Sequence, residues 1–370
     1  MRVLVLTTAY PRWAEDVAGN FVARWCESLA ARGHAVHVVA PADGAAGAPA
    51  GRVSIQRFQY ALHPRLCYGA GIRDNLRDPR AAAQLPGLFA AMAAAAVRAA
   101  RAFRPDVVAS HWVGPATLAG RLACAAAPGA ARHVSILHSE GPARARVAAA
   151  LADRVVAVST AAGKGVEVVP LGVELAALPA RAEARVRLGI AATRFVVLGL
   201  GRLVPVKGFA RLPAAAPDGA LVLVAGEGPE RAAIALAAAA PAVRARGVEV
   251  RLLGAVAGAR KAEVFAAADV LCVPSRSEGL PLVVREAQRA GLPVVASAVG
   301  ALPDVVAHGR DGWLVPPGDD VALAAGLAAL AADAPWRAAL AAESARRGQA
   351  EARAWDLVAA DWERVLAEVA

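Results

Sequence analysis

Val270-Leu271-Cys272-Val273-Pro274-Ser275-Arg276-Ser277-Glu278-Gly279-Leu280-Pro281-Leu282-Val283-Val284-Arg285-Glu286 begins as an apolar run, crosses a polar loop and opens a helix. A short unbroken apolar run bounded by loop residues is the pattern of a strand buried on both faces, as in parallel α/β sheets. Because the loop runs straight into a helix, Gly279 to Leu282 are expected to present backbone N–H groups without intrahelical acceptors. That geometry binds phosphate. Glu286 then falls in the second turn of the helix, and Glu278 lies in the loop before it. Two carboxylates touching a phosphate would repel it. They make better sense as acceptors for hydroxyls on either side, a ribose at one end and a sugar at the other. Taken alone, the stretch also fits a solvated helix start with a capping carboxylate.

Working outward, the same strand–glycine loop–helix layout recurs along the chain. In the first half, strands are expected at 2–7, 35–40, 106–110, 133–137 and 154–158. Helices fall near 19–32, 88–103 and 116–126, and Gly33 suits a left-handed helix end. After a softer Ala/Arg-rich stretch at 174–192 the rhythm restarts. Strands are expected at 195–200, 221–225, 249–253, 270–273 and 293–296, with helices at 229–240, 261–267 and 281–290. Strands alternating with helices of this length argue for parallel, doubly wound sheets. The expected fold is therefore α/β: two Rossmann-like doubly wound domains facing across a cleft. The domains are 1–178 and 179–354, and a terminal helix at 355–370 is expected to pack back on the first.

Composition narrows the function classes. Of the residues 57 % are hydrophobic, so two sizeable cores can be buried and intrinsic disorder is excluded. The four cysteines form no CxxC pair, which argues against a disulfide framework or zinc site and fits a reducing cytosol. The start of the chain shows no signal-peptide pattern, so a cytoplasmic location, with contact at the inner face of the membrane left open, is the expectation. The longest apolar stretch, 81–97, is interrupted by Gln84, Pro86 and Gly87 and reads as too short to span a bilayer. The net charge of +10 is uneven: 19 Arg and Lys face 11 Asp and Glu over 1–175, against 22 and 20 in the remainder. Such an excess suits an anionic partner or an ordinary surface in an Arg-rich chain. The segment 65–104 sets Arg73, Arg77, Arg80, Arg98, Arg101 and Arg104 beside Leu85, Leu88, Phe89 and Met92. It reads as a core-facing helix with a basic outer face, or as an amphipathic surface for anionic lipid. Nucleic-acid binding would rest on net charge alone and is not expected.

The spacing Glu278-x7-Glu286 resembles the EX7E motif of retaining GT-B glycosyltransferases, especially family 4. The resemblance implies that Glu286 binds the nucleotide ribose and Glu278 the hydroxyls of the transferred sugar. Gly201-Arg202-Leu203-Val204-Pro205-Val206-Lys207-Gly208-Phe209 is similar to that family's G-R-L-x-x-x-K-G segment, where Arg202 and Lys207 would grip the donor diphosphate. The physical need is plain, because a leaving nucleoside diphosphate develops negative charge that cations or a metal must stabilise. No Asp-x-Asp motif is present, so Arg202 and Lys207 would stand in for a metal, and no cofactor is expected. Three further runs resemble the family in order and spacing. Ala225-Gly226-Glu227-Gly228-Pro229-Glu230 is one, with Gly226 at the donor. Leu252-Leu253-Gly254 places Leu253 near the base. Gly300-Ala301-Leu302-Pro303-Asp304 with Gly312 to Asp319 is the third. The full donor set is then Gly19, Arg202, Lys207, Gly226, Leu253, Glu278, Gly279, Leu280, Pro281, Leu282 and Glu286.

The first domain would supply the acceptor side. His111 ends an expected strand, where open α/β sheets build their sites, and matches a family histidine close to the donor sugar. With Glu278, Arg202 and Lys207 it forms the candidate catalytic set. A strand-end histidine also serves as a plain structural residue. His138 resembles another family position less closely. Gly19 matches the glycine that admits the diphosphate and acceptor, and equally fits a simple N-cap. The family's P-N-G-V-D reads Pro170-Leu171-Gly172-Val173-Glu174 here, the preceding helix is cut to 160–165, and Ala301 replaces a glycine. These departures touch the hinge and the sugar pocket and spare the diphosphate and ribose contacts.

What the resemblance implies is a retaining, metal-independent transfer of a sugar from a nucleoside-diphosphate sugar, UDP-sugar favoured over GDP- or ADP-sugar, to a hydroxyl of a glycan, lipid or small molecule. A sugar-nucleotide epimerase, a phosphorylase and a silent sugar-nucleotide-binding module share the fold and stay open. A nicotinamide oxidoreductase is disfavoured, because Gly226-x-Gly228 is followed by Arg231 where a small residue is wanted.

Overall fold

The structure is a computed structural model that describes residues 1–13, 16, 18–43, 51–68, 72–138, 141–279 and 281–370. The chain divides into two compact units, 1–172 with 354–370 and 173–353. The division falls after Gly172, where the sequence reading sets it at 178.

Among the described residues the first unit is built on seven parallel strands: β1 (Arg2–Leu6), β2 (Ala35–Pro41), β3 (Ser54–Phe58), β4 (Val107–His111), β5 (Arg132–Leu137), β6 (Arg154–Ala157) and β7 (Glu167–Val168). Their order is β3-β2-β1-β4-β5-β6-β7. The chain thus runs outward from β1 in one direction and resumes beside it at β4, a topological switch point. β1, β2, β4 and β5 are apolar along most of their length because helices cover both faces. β3 and β7 carry polar residues and short runs, and neither is expected from periodicity. A helix at Pro142–Leu151 is also new; its Ala and Arg residues show little amphipathic pattern.

The helix Leu85–Phe103 starts with Pro86 at its first turn, where a missing N–H costs nothing. Pro86 and Gly87 therefore do not interrupt it. By length and composition alone, 79–103 is apolar enough to cross a membrane, a test that a core helix of a soluble protein also passes. In the fold, Leu88, Met92, Ala95, Ala96, Ala99 and Ala100 are buried in a core with Leu4, Leu6 and Val108, while Arg98 and Arg101 point outward. The side chain of Arg73 lies outside the described residues.

The terminal helix Trp355–Ala367 belongs to the first unit. Trp362 is fully buried, meets Trp25 edge-on at 5.6 Å and donates its indole N–H to the Pro170 carbonyl (3.2 Å). Arg32 Nε donates to Glu363 (2.7 Å) and Arg154 to Glu368 (2.8 Å) at the rim.

The second unit has six parallel strands: β8 (Val196–Leu200), β9 (Leu221–Ala225), β10 (Glu249–Gly254), β11 (Val270–Val273), β12 (Val294–Ser297) and β13 (Gly312–Val315). The order is β10-β9-β8-β11-β12-β13, with the switch point between β8 and β11. Alternate residues serve two cores. Val196, Leu198, Leu221, Leu271 and Val294 pack with Val264, Phe265 and Leu302. Val197, Val222, Val270 and Val295 pack with Leu212, Ile234, Leu323 and Leu327. Beneath the sheet Asp269 accepts from Arg181 (2.5 Å), Arg185 (2.8 Å) and the Val196 N–H (2.8 Å), tying the helix Arg181–Arg187 to the strands. β13 and the helices Asp320–Ala332 and Ala334–Glu351 complete the unit and are not expected from the sequence reading. The two parallel doubly wound sheets have the fold class that the sequence pattern implies.

Candidate functional site

The loops after β8 and β11 leave the sheet on either side of its switch point, and Arg276 N–H donates to the Val206 carbonyl (2.8 Å) to join them. The β8 loop is tied in turn to the loop after β9, where Leu203 N–H donates to the Glu227 carbonyl (2.8 Å). Gly226 sits in the next loop at φ +143°, and a Cβ there would overlap the Gly201 carbonyl oxygen. Only glycine lets these turns approach so closely. Gly226 N–H donates to the Gly254 carbonyl (2.7 Å). The β9–β10 ladder shifts register between Leu252 and Gly254, which takes half-buried Leu253 out of the pairing.

On this scaffold Lys207 and Glu278 meet. Lys207 Nζ donates to both carboxylate oxygens (2.6 and 2.8 Å), and Ser275 Oγ donates to Oε1 (2.6 Å). The Glu278 side chain is 5 % exposed, so this ammonium offsets the cost of burying a carboxylate. Arg202 stands exposed earlier in the loop that carries Lys207.

Glu286 lies in the helix Leu282–Arg289, where it accepts from Lys261 Nζ (2.7 Å) on the helix Gly258–Ala267. Burial pushes the Glu286 carboxyl up from its ordinary range, Lys261 opposes this, and Glu174 adds to it. Gly279 is half-buried and Pro281 buried at the N-cap position; Leu280 falls outside the described residues. The helix starts at Leu282, and Pro281 carries no N–H. The first-turn donors of the helix are those of Leu282 and Val283, and within the run Gly279 to Leu282 expected from sequence Pro281 offers none.

In the first unit His111 ends β4 at the β1/β4 switch point and is fully buried. Its Nδ1 bonds to His138 Nε2 (2.9 Å), the rings stack at 5.1 Å, and Trp25 meets the His111 ring edge-on. Its Nε2 has no hydrogen-bond partner among the described residues. Burial, and then His138, push the His111 imidazolium well below its usual range, and burial alone pushes His138 down to about 3. Both rings are therefore neutral, and His111 can exchange a hydrogen bond but supplies no cationic charge. Gly19 caps the helix Asn20–Ala31 at φ +68°, and a Cβ there would overlap the Ala9 carbonyl oxygen.

The histidine pair makes stability depend on pH. The unfolded chain takes up a proton at His138 below about 6.5, whereas the folded chain resists until about 3. Stability is thus full above 6.5 and is lost as pH falls toward 3, on the order of 2 kcal/mol by pH 5 from this residue. Denaturant titrations at pH 7.5 and 5.0 should show a smaller pH dependence for His138→Gln than for the wild type. Equal dependences would remove His138 as the cause.

Sequence reasoning missed Ser275, Lys261, Trp112 and Phe21. Trp112 follows β4 at φ +64°, a left-handed conformation rare for a bulky residue. Its ring lies 4.7 Å from His138 and 5.6 Å from Phe21. Backbone strain leaves no mark on sequence. Lys261 does leave one: the chain has only three lysines, at 164, 207 and 261, among 41 Lys and Arg.

Two family models match nearly end to end: "Glycosyltransferase Family 4" over residues 18–174 and "Glycosyl transferases group 1" over 180–347. Among curated relatives, a D-inositol 3-phosphate glycosyltransferase of Kineococcus radiotolerans is 37 % identical over 50 % of this chain and 48 % of its own length. Its counterpart in Mycobacteroides abscessus is 38 % identical over 45 % of this chain and 39 % of its own length. The matches thus span about half the length of these relatives or less. Among solved structures, sucrose-phosphate synthase from Thermosynechococcus elongatus superposes with a TM-score of 0.77 at 24 % identity, covering 100 % of this chain and 99 % of that one. Anabaena HepE in complex with UDP-glucose gives 0.75 at 20 %, covering 100 % of both chains. With two doubly wound units, a switch-point Lys–Glu constellation and these matches, the chain belongs to the family-4-like glycosyltransferases of the GT-B fold.

Proposed function

We propose that the second unit binds a nucleoside-diphosphate sugar, with a UDP-sugar favoured, and that the protein transfers the sugar to a hydroxyl acceptor with retention and without a metal. The observation that carries this reading is the switch-point constellation: Lys207, Glu278 and Ser275 joined within hydrogen-bond distance, and Glu286 held on the helix that opens beside them. Lys207, Arg202 and the Leu282 and Val283 amides offer positive charge to a diphosphate. Glu278 and Glu286 offer acceptors to hydroxyls of the sugar and the ribose. That HepE was solved with UDP-glucose supports the choice of nucleotide.

In this reading the bond between the sugar anomeric carbon and the diphosphate oxygen breaks, and its electron pair stays on that oxygen beside the cations. The acceptor oxygen bonds to the same face of the carbon, and its proton passes to the departing diphosphate. No protein nucleophile is needed.

A panel of UDP-, GDP- and ADP-sugars screened by thermal shift identifies the donor. Turnover of that donor should then persist in excess EDTA, and NMR of the product should show the donor's anomeric configuration. Activity abolished by EDTA and restored by a divalent ion would overturn metal independence, and an inverted product would overturn retention. Donor consumed without any acceptor would mark an epimerase or hydrolase instead.

A further inference from the structure

Both glutamates of the motif are ion-paired to lysine, and only one of those lysines has a role so far. Lys207 reaches Glu278 from the loop after β8, whereas Lys261 reaches Glu286 from the helix that follows β10. We propose that Lys261 is a positioning residue of the donor site: it anchors one oxygen of the Glu286 carboxylate, leaving the remaining acceptor capacity to the ribose hydroxyls of a nucleoside diphosphate. The proposal rests on the donor-site reading above.

Three observations converge on it. The pair is close and sheltered, with Nζ to Oε1 at 2.7 Å and side chains 20 % and 13 % exposed. In a chain that uses arginine almost throughout, two of its three lysines contact the two motif glutamates. A guanidinium grips a carboxylate bidentately and takes up both oxygens, whereas an ammonium can act as a point charge on one. Lysine is thus the cation that leaves an acceptor to spare. Glu286 also needs such a partner, since burial and the Glu174 charge both favour its neutral form. The neighbouring charges are otherwise engaged: Arg260 pairs with Glu263, and Arg285 with Glu351 (2.6 Å).

The helix carrying Lys261 is placed by the end of β10, where Leu253 leaves the ladder and Gly254 accepts from Gly226.

Calorimetric titration of the full chain with UDP, GDP and ADP, each beside its 2′,3′-dideoxy form, tests this. Lys261→Met keeps the aliphatic stem and removes the charge. It should weaken the preferred diphosphate about tenfold, the scale of one charge-assisted hydrogen bond, and change its dideoxy form less than twofold. Lys261→Arg should recover charge but not the full preference for the ribose hydroxyls. A Lys261→Met protein that binds both forms like the wild type, or loses both equally, overturns the proposal while the donor site stands. A wild type that binds none of the three overturns the donor-site reading and this one together. Should Lys261→Met fold poorly, Lys261→Gln with the same pair of ligands gives the same decision.

Discussion

Lys207→Ala is expected to lower turnover by about 10²-fold or more, on the scale of losing one preorganised donor to a developing oxyanion. Two effects combine. The departing diphosphate loses a cation at the moment its charge grows. Glu278 loses the ammonium that contacts both of its oxygens and keeps only Ser275 Oγ among its side-chain donors seen here. A carboxylate 5 % exposed and stripped of its counter-ion is strained electrostatically, and breaking such pairs costs about 3–5 kcal/mol. The double variant Lys207→Ala with Glu278→Gln separates the two. It should regain thermal stability over the single variant, since no uncompensated charge is left, and recover no activity. Steady-state rates and melting temperatures of both variants provide the check. A folded Lys207→Ala protein that turns over at the wild-type rate removes Lys207 from the mechanism.

Gly300→Ala should destabilise the second unit by about 2–4 kcal/mol and weaken donor binding with it. Gly300 has φ +56°, and a Cβ there would overlap the carbonyl oxygen of Glu278. The left-handed backbone costs an L-residue about 1–2 kcal/mol, and relieving the overlap by shifting backbone adds a similar amount. The group that must shift is the peptide of Glu278 itself, so the carboxylate moves relative to Lys207. Gly318→Ala is the matched control. Its φ is +79° with open space around the missing Cβ, so it should lose only the smaller backbone term and leave UDP affinity intact. Chemical denaturation and UDP titration of the two variants provide the comparison. Equal losses in both, or an unchanged Gly300→Ala protein, would contradict the packing argument.

The elements legible in advance are those whose pattern is set by burial. β8, β9, β11 and β12 lie inside the second sheet with both faces covered, so they had to be apolar throughout and stood out as strands. β3 and β7 lie at the two edges of the first sheet and β13 at one edge of the second. Edge strands are pinned by pairing on one side only; β3 and β7 carry Ser, Gln, Arg or Glu, so period and composition pass over them, whereas the edge strand β10 keeps enough apolar residues to be expected at 249–253. The helix Ala334–Glu351 is rich in Ala and Arg, and its face is set by the neighbour it meets.

The sequence by itself determined the two-unit α/β plan and singled out the residues we propose to bear the donor chemistry, because motif spacing within one loop and helix is a local matter. Only the tertiary structure decided the pairings: Lys207 with Glu278, Lys261 with Glu286 and His111 with His138. Strand order, rather than distance along the chain, sets which loops become neighbours, and a doubly wound sheet brings together turns that no periodicity connects.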